Sequence, residues 1–170
     1  NQGGDGIASA HDRVMFKHAI GEQDLVPDTA PRFALQDFVE DDARGVLYRL
    51  GETNANGVEQ QAFASANALI KRFVLAGDTL RVSYRSAVAR DLSIRINLAL
   101  PSCDGPAGRY WLNGQCPGGF GQPLAAHGVL ELTLEDDILG GCLVLSASAP
   151  FQLSARPHHS VSQSEAGFEK

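Results

Sequence analysis

Between residues 92 and 100 the chain reads LSIRINLAL, and every second residue is apolar. Leu92, Ile94, Ile96, Leu98 and Leu100 share one side, while Ser93, Arg95 and Asn97 take the other. A repeat of two is the repeat of an extended strand, whose side chains alternate between two faces. A helix cannot gather such a set on one stripe. The same alternation recurs in LRVSY, through Leu80, Val82 and Tyr84, and in VLELTL, through Leu130, Leu132 and Leu134. It loosens in CLVLSASAPFQLSA, where Pro150 lacks an N–H to give to a ladder and marks an edge or a bend. The intervening GD, CDG, NG and GG pairs are turn formers. Strands with one apolar face, joined by short turns, predict an antiparallel meander. With 170 residues the chain is long enough for a single domain with a real core.

One region breaks the pattern. In PRFALQDFVEDDARGVLYRL, Phe33, Leu35, Phe38, Val39, Val46, Leu47 and Leu50 fall on one broad side at helical spacing. Asp37, Glu40, Asp41 and Arg44 take the opposite side. The preceding VPDTAP interrupts any incoming helix, and Asp28 or Thr29 is placed to cap a new one whose first turn holds Pro31. Gly45 costs about 1 kcal/mol in a helix interior and loosens the last turn. Residues 11–26 carry a shorter helical pattern, and residues 58–72 read equally as a short helix or as strand ends. The fold class expected is α+β: an amphipathic helix packed on an antiparallel sheet through Phe33, Leu35, Phe38, Val46, Leu47 and Leu50. The chain then divides into a flexible lead-in (1–10), an interrupted helical stem (11–31), a globular head (32–156) and a polar tail (157–170).

A net charge of -6 gives no broad attraction to nucleic acid or anionic lipid. No apolar run is long enough to span a bilayer. The chain opens on Asn1 and not on Met, which implies an upstream segment. The five histidines lack HExxH or CxxC spacing, so no metal and no cofactor is expected. The acidic runs at 40–42 and 135–137 read as solvated faces. With no nucleophile elbow and no phosphate loop, the chain is not expected to be an enzyme. Cys103 and Cys116 bracket a turn-rich loop and read as a disulfide in an oxidising compartment, the alternative being reduced thiols in a cytosolic protein. Cys142 reads as a buried free thiol. Inside that loop Tyr110 and Trp111 read either as an exposed partner-contact pair or as satellite core.

The stretch PRFALQDFVEDDARGVLYRLG resembles the segment where the stem of PilW-like minor pilins enters the head, through Arg32, Phe33, Ala34, Leu35, Phe38, Asp41, Arg44, Tyr48 and Arg49. GDTLRVSYRS, RYWLNGQC and HGVLELTLEDD are similar to later strands of that family. The resemblance implies a non-catalytic subunit that primes or caps a type IV pilus. Its implied partners are other minor pilins, the major pilin and in some assemblies a tip adhesin. It also implies an upstream membrane helix, a site in the inner membrane facing the periplasm, and then the extracellular pilus tip. Minor pseudopilins of type II secretion are related. The rival readings are a secreted or periplasmic binding module for a carbohydrate or protein, and a hydrolase.

Overall fold

The computed structural model describes residues 20–22, 25, 32–40, 44–54, 59–64, 69–102, 106–158, 162–164 and 167–169. Among them run β1 (Gln36–Val39), β2 (Arg49–Thr53), β3 (Glu59–Ala64), β4 (Leu69–Ala76), β5 (Thr79–Ser86) and β6 (Leu92–Arg95). There follow β7 (Gly108–Leu112), β8 (Gln115–Gly119), β9 (Leu124–Asp136), β10 (Gly141–Ala155), β11 (Ser162–Ser164) and β12 (Gly167–Glu169). Every pairing is antiparallel. The chain divides into two compact units, one of Ala30–Leu98 and one joining Asn1–Thr29 with Ala99–Lys170. The lead-in at 1–10, nearly all of the stem at 11–31, and Cys103 lie outside the described residues.

No α-helix occurs among the described residues, so the α+β expectation is corrected to an all-antiparallel β architecture. The described part of the stretch at 32–50 forms β1 and the start of β2. Leu35, Glu40 and Gly45 all take positive φ, at 58°, 55° and 75°, and each such residue ends a right-handed helical run. The six residues expected to pack a helix on a sheet are dispersed. Phe33, Leu47 and Leu50 are 59%, 88% and 69% exposed. Leu35 sits in a turn, and Phe38 lies half-buried beneath the Arg95 guanidinium, 4.6 Å from its ring centre. Val46 alone joins a core, against Val39 and Leu69.

The reason lies in Asp37. A helical wheel assigns it to solvent, yet it is only 1% exposed. Lys71 on β4, 2% exposed, donates to Asp37 Oδ2 at 2.7 Å and to the Leu35 carbonyl at 2.6 Å. Tyr84 on β5 donates its hydroxyl to Asp37 Oδ1 at 2.8 Å. The rings of Phe73, Tyr84 and Tyr48 surround the ammonium at 5.1, 5.3 and 5.5 Å. The Tyr48 hydroxyl is buried near the same carboxylate, outside hydrogen-bond geometry. Burial first, then the polar interaction with the Asp37 carboxylate and its charge, pushes both tyrosines well above the usual phenol range. This cluster fastens the β1–β6 ribbon to the sheet of order β2-β3-β4-β5. A buried charge tolerates its loss of water only with such partners, so the pairing dictates an extended β1.

Only Leu92–Arg95 of LSIRINLAL forms a strand, β6, and of its expected apolar face only Leu92 is half-buried there. Ile94, Ile96 and Leu98 are 44%, 36% and 42% exposed. Asn97 instead donates to the Phe33 carbonyl at 2.6 Å, and Leu100 packs in the other unit.

That second unit holds the sheet of order β10-β9-β7-β8. Its core is Tyr110, Phe120, Leu132 and Leu134, flanked by Leu100, Leu112, Leu124, Leu145, Leu153 and Ala155. The Tyr110 and Phe120 rings meet edge-on, 5.1 Å apart. Gly108 is needed here because a Cβ would lie 2.3 Å from the Phe120 ring and 2.6 Å from the Ser102 carbonyl. Leu130, expected to share a face with Leu132 and Leu134, is 50% exposed, while Val129 is buried. The cause is a break in register: Ser146 pairs with Glu131, but Phe151 pairs with Val129. Residues 147–150, including Pro150, form the bulge on this edge strand. The β9–β10 turn is tied by Asp136, whose Oδ1 accepts from the Ile138 and Leu139 amides at 2.9 and 3.0 Å. Within the expected polar tail, β11 and β12 pair as a short hairpin.

Candidate functional site

Strand parity divides the pair that the sequence joined. Tyr110 pairs with Leu134 and points into the core, whereas Arg109 and Trp111, one residue to either side, point outward. Tyr110, 6% exposed, is thus core, and Trp111 alone remains half-exposed on the outer face. Arg109 lies opposite Glu135 on β9, and Trp111 lies opposite Thr133.

These side chains form one connected cluster. The Trp111 indole N–H donates to Glu135 Oε2 at 2.7 Å, and Arg109 Nε donates to the same oxygen at 3.2 Å. The Arg109 fork also grips Asp137, with contacts of 2.9 Å to Oδ1 and 2.9 Å to Oδ2, and donates to the Pro106 carbonyl at 3.1 Å. On its other side Arg109 pairs with Gly119 of β8, which leaves no side chain there to cover the guanidinium. The indole and Arg109 hold the Glu135 carboxyl below its usual range, and Glu135 with Asp137 pushes Arg109 up.

The result is a half-buried indole held at its edge, beside two carboxylates and a guanidinium. Such a surface suits a molecule with one apolar face and a hydroxyl rim, as a pyranose ring has.

A family model, the C-terminal domain of alpha-amylase/4-alpha-glucanotransferase, matches residues 55–170. The chain belongs to this family. That corrects the resemblance to PilW-like minor pilins, as does the absence of a helix packed on a sheet among the described residues. The pilus role, its pilin and adhesin partners and its two-stage location rested on that resemblance and lose their basis with it. No curated protein and no solved structure matches the chain. The family match spans β3 to β12 and so takes in the whole outward cluster of β7 and β9.

The remaining sequence assignments fare unevenly. Cys116 is exposed on β8 and makes no disulfide among the described residues, while its expected partner Cys103 lies outside them. Cys142, expected to be buried, is exposed on the edge strand β10. The run at 135–137 is no simple solvated face: Glu135 holds Trp111, Asp136 is 4% exposed, and Asp137 anchors Arg109. Arg109, Glu135 and Asp137 were therefore missed by sequence reasoning. The available signal was the alternation in R-Y-W, which puts Arg109 and Trp111 together and Tyr110 opposite.

Proposed function

We propose that this chain is a non-catalytic module of a carbohydrate-active protein, and that it holds an α-glucan against the outward face of β7 and β9. The observation that carries the reading is the half-exposed Trp111, pinned through its indole N–H to Glu135 at 2.7 Å beside the Arg109–Asp137 pair. Family membership supports the substrate class, since alpha-amylases and 4-alpha-glucanotransferases act on α-linked glucose chains. In this reading Trp111 is the platform for one pyranose ring. Glu135 and Asp137 accept hydrogen bonds from sugar hydroxyls, and Arg109 donates to them.

Trp111 is the single tryptophan of the chain, so its fluorescence reports on this face without interference. Titration with maltoheptaose should change the emission saturably. Trp111→Ala should abolish binding in calorimetry while leaving the circular dichroism spectrum intact. Cellohexaose, with β-linkages, should bind about tenfold more weakly, a difference of about 1.4 kcal/mol. An unchanged emission at millimolar maltoheptaose, or undiminished binding by Trp111→Ala, would remove the proposal.

A further inference from the structure

The contact between Lys71 and Asp37 joins a nucleophile to an electrophile as well as a cation to an anion. Lys71 Nζ lies 2.7 Å from Asp37 Oδ2, and the two side chains are 3% and 0% exposed. Near attack needs reacting atoms about 3–3.5 Å apart, and an amine hydrogen-bonded to a carboxylate oxygen is one bond from the carbon behind it. The partners are 34 residues apart, so the fold and not the local chain brings them together. Each strand is fixed by its own ladder, β1 by β6 and β4 by β3 and β5.

The surroundings fit the product of condensation group by group. A secondary amide has one N–H to give and one carbonyl oxygen to satisfy. The Leu35 carbonyl already accepts from Nζ at 2.6 Å, and the Tyr84 hydroxyl already donates to Oδ1 at 2.8 Å. Joining Nζ to Cγ with loss of Oδ2 keeps both of these bonds. Tyr84 also faces an oxygen on which charge builds during attack, the place of an oxyanion donor. The Tyr48 hydroxyl is buried beside the carboxylate with no hydrogen bond of its own, and is placed to receive the departing water. Burial supplies the driving force. Two ions out of water carry a desolvation cost that a neutral amide does not, and a site that excludes water excludes the reactant of hydrolysis.

We propose that Lys71 and Asp37 condense to an intramolecular isopeptide bond that ties β1 covalently to β4. The Nζ electron pair attacks Cγ, the Nζ–Cγ bond forms and the Cγ–Oδ2 bond breaks. Two of the three ammonium protons leave with Oδ2 as water, and the third stays on nitrogen, directed at Leu35. No oxidant, reductant or further reactant enters. The rings of Phe73, Tyr84 and Tyr48 favour the ammonium and so hold back its deprotonation. Among the described residues no second carboxylate touches Nζ to carry that proton. Conversion is therefore gradual: fresh protein carries the ion pair and aged protein carries the amide. The bond lies in a different unit from the glucan face and stands or falls separately.

The test follows the whole protein as it ages in buffer, by intact mass after unfolding and reduction. The mass should fall by one water, and the aged chain should run ahead of the fresh one on a denaturing gel because the bond closes a loop. The steps Asp5–Gly6 and Asp104–Gly105 lose the same mass if they cyclise, so the decisive readout is a branched peptide. Proteolysis of the aged, unaltered protein should release the Asp37 and Lys71 peptides joined, with Lys71 no longer cut by trypsin. Lys71→Met should give no branch. Tyr84→Phe should slow the appearance of the branch about tenfold. The proposal is overturned if the two peptides are recovered separately from aged protein, or if the lost water maps to an Asp–Gly step. It is equally overturned if the branch forms as fast in urea, where the site does not exist.

Discussion

The protein builds two clusters from the same ingredients, a cation, carboxylate and aromatic rings, and uses them oppositely. Around Lys71 and Asp37 they are closed: both side chains have almost no exposure, and three rings complete the shell. Around Arg109, Glu135 and Trp111 they are open, with Arg109 and Glu135 side chains 32% and 37% exposed. Burial decides the role. An ion pair out of water is costly unless fully partnered, and then it locks geometry. An ion pair at the surface is weak as a fastener, but its spare lone pairs and donors remain available to a ligand.

The contrast is broken most directly at Lys71. Lys71→Ala leaves Asp37 buried without its cation and should cost about 3–5 kcal/mol. Lys71→Met combined with Asp37→Leu should recover most of that loss in urea denaturation. If the single variant unfolds at the wild-type midpoint, the cluster is not a fastener. A smaller effect comes from Tyr84→Phe, which removes a hydrogen bond to a charged group worth about 1.5–3 kcal/mol.

The tyrosines sharpen the comparison through pH. Their folded-state values lie above the unfolded one. Below about pH 10 both states keep the protons and the stability is fully present. Above it the unfolded chain releases protons that the folded chain retains, so stability should fall with rising pH. Urea midpoints should drop beyond pH 10, and less steeply in a Tyr48→Phe, Tyr84→Phe variant. An equal slope in both proteins would contradict this. At the open cluster the sign reverses. Glu135 is depressed, so its contribution is present above the usual carboxylate range and is lost as pH falls through its folded value. Trp111 emission should hold steady above about pH 4.5 and shift on acidification, and Glu135→Gln should flatten that response. The smallest effect expected is where the exposed Arg95 stacks on the half-buried Phe38, and Arg95→Ala should cost under about 1 kcal/mol by the same denaturation.

How much of this the sequence disclosed depended on whether local pattern or distant contact decided the outcome. Alternation in LRVSY foretold β5, with Val82 and Tyr84 half-buried in register on β4, though Leu80, expected on the same face, is 48% exposed. The stretch at 32–50 misled because its apolar spacing suits a helix locally, while the deciding contact, Asp37 with Lys71, spans 34 residues. Polar residues are read as solvent-facing by default, so Asp37, the most buried of the described side chains, was assigned to the surface. Trp111 was visible as a candidate, but its partners needed the pairing of β7 with β9, which no local pattern discloses.

The bulge at residues 147–150 carries a consequence for dynamics. It separates the run Gly141–Ser146 from the run Leu153–Ala155, with Phe151 paired to Val129 between two register shifts. In amide exchange they should open as separate segments, each with its own protection and its own sensitivity to denaturant. The run opposite Glu131–Asp136 backs the strand that carries Glu135. The other can breathe or tolerate change without disturbing the hold on Trp111. What looks like one long strand is, in timing, two.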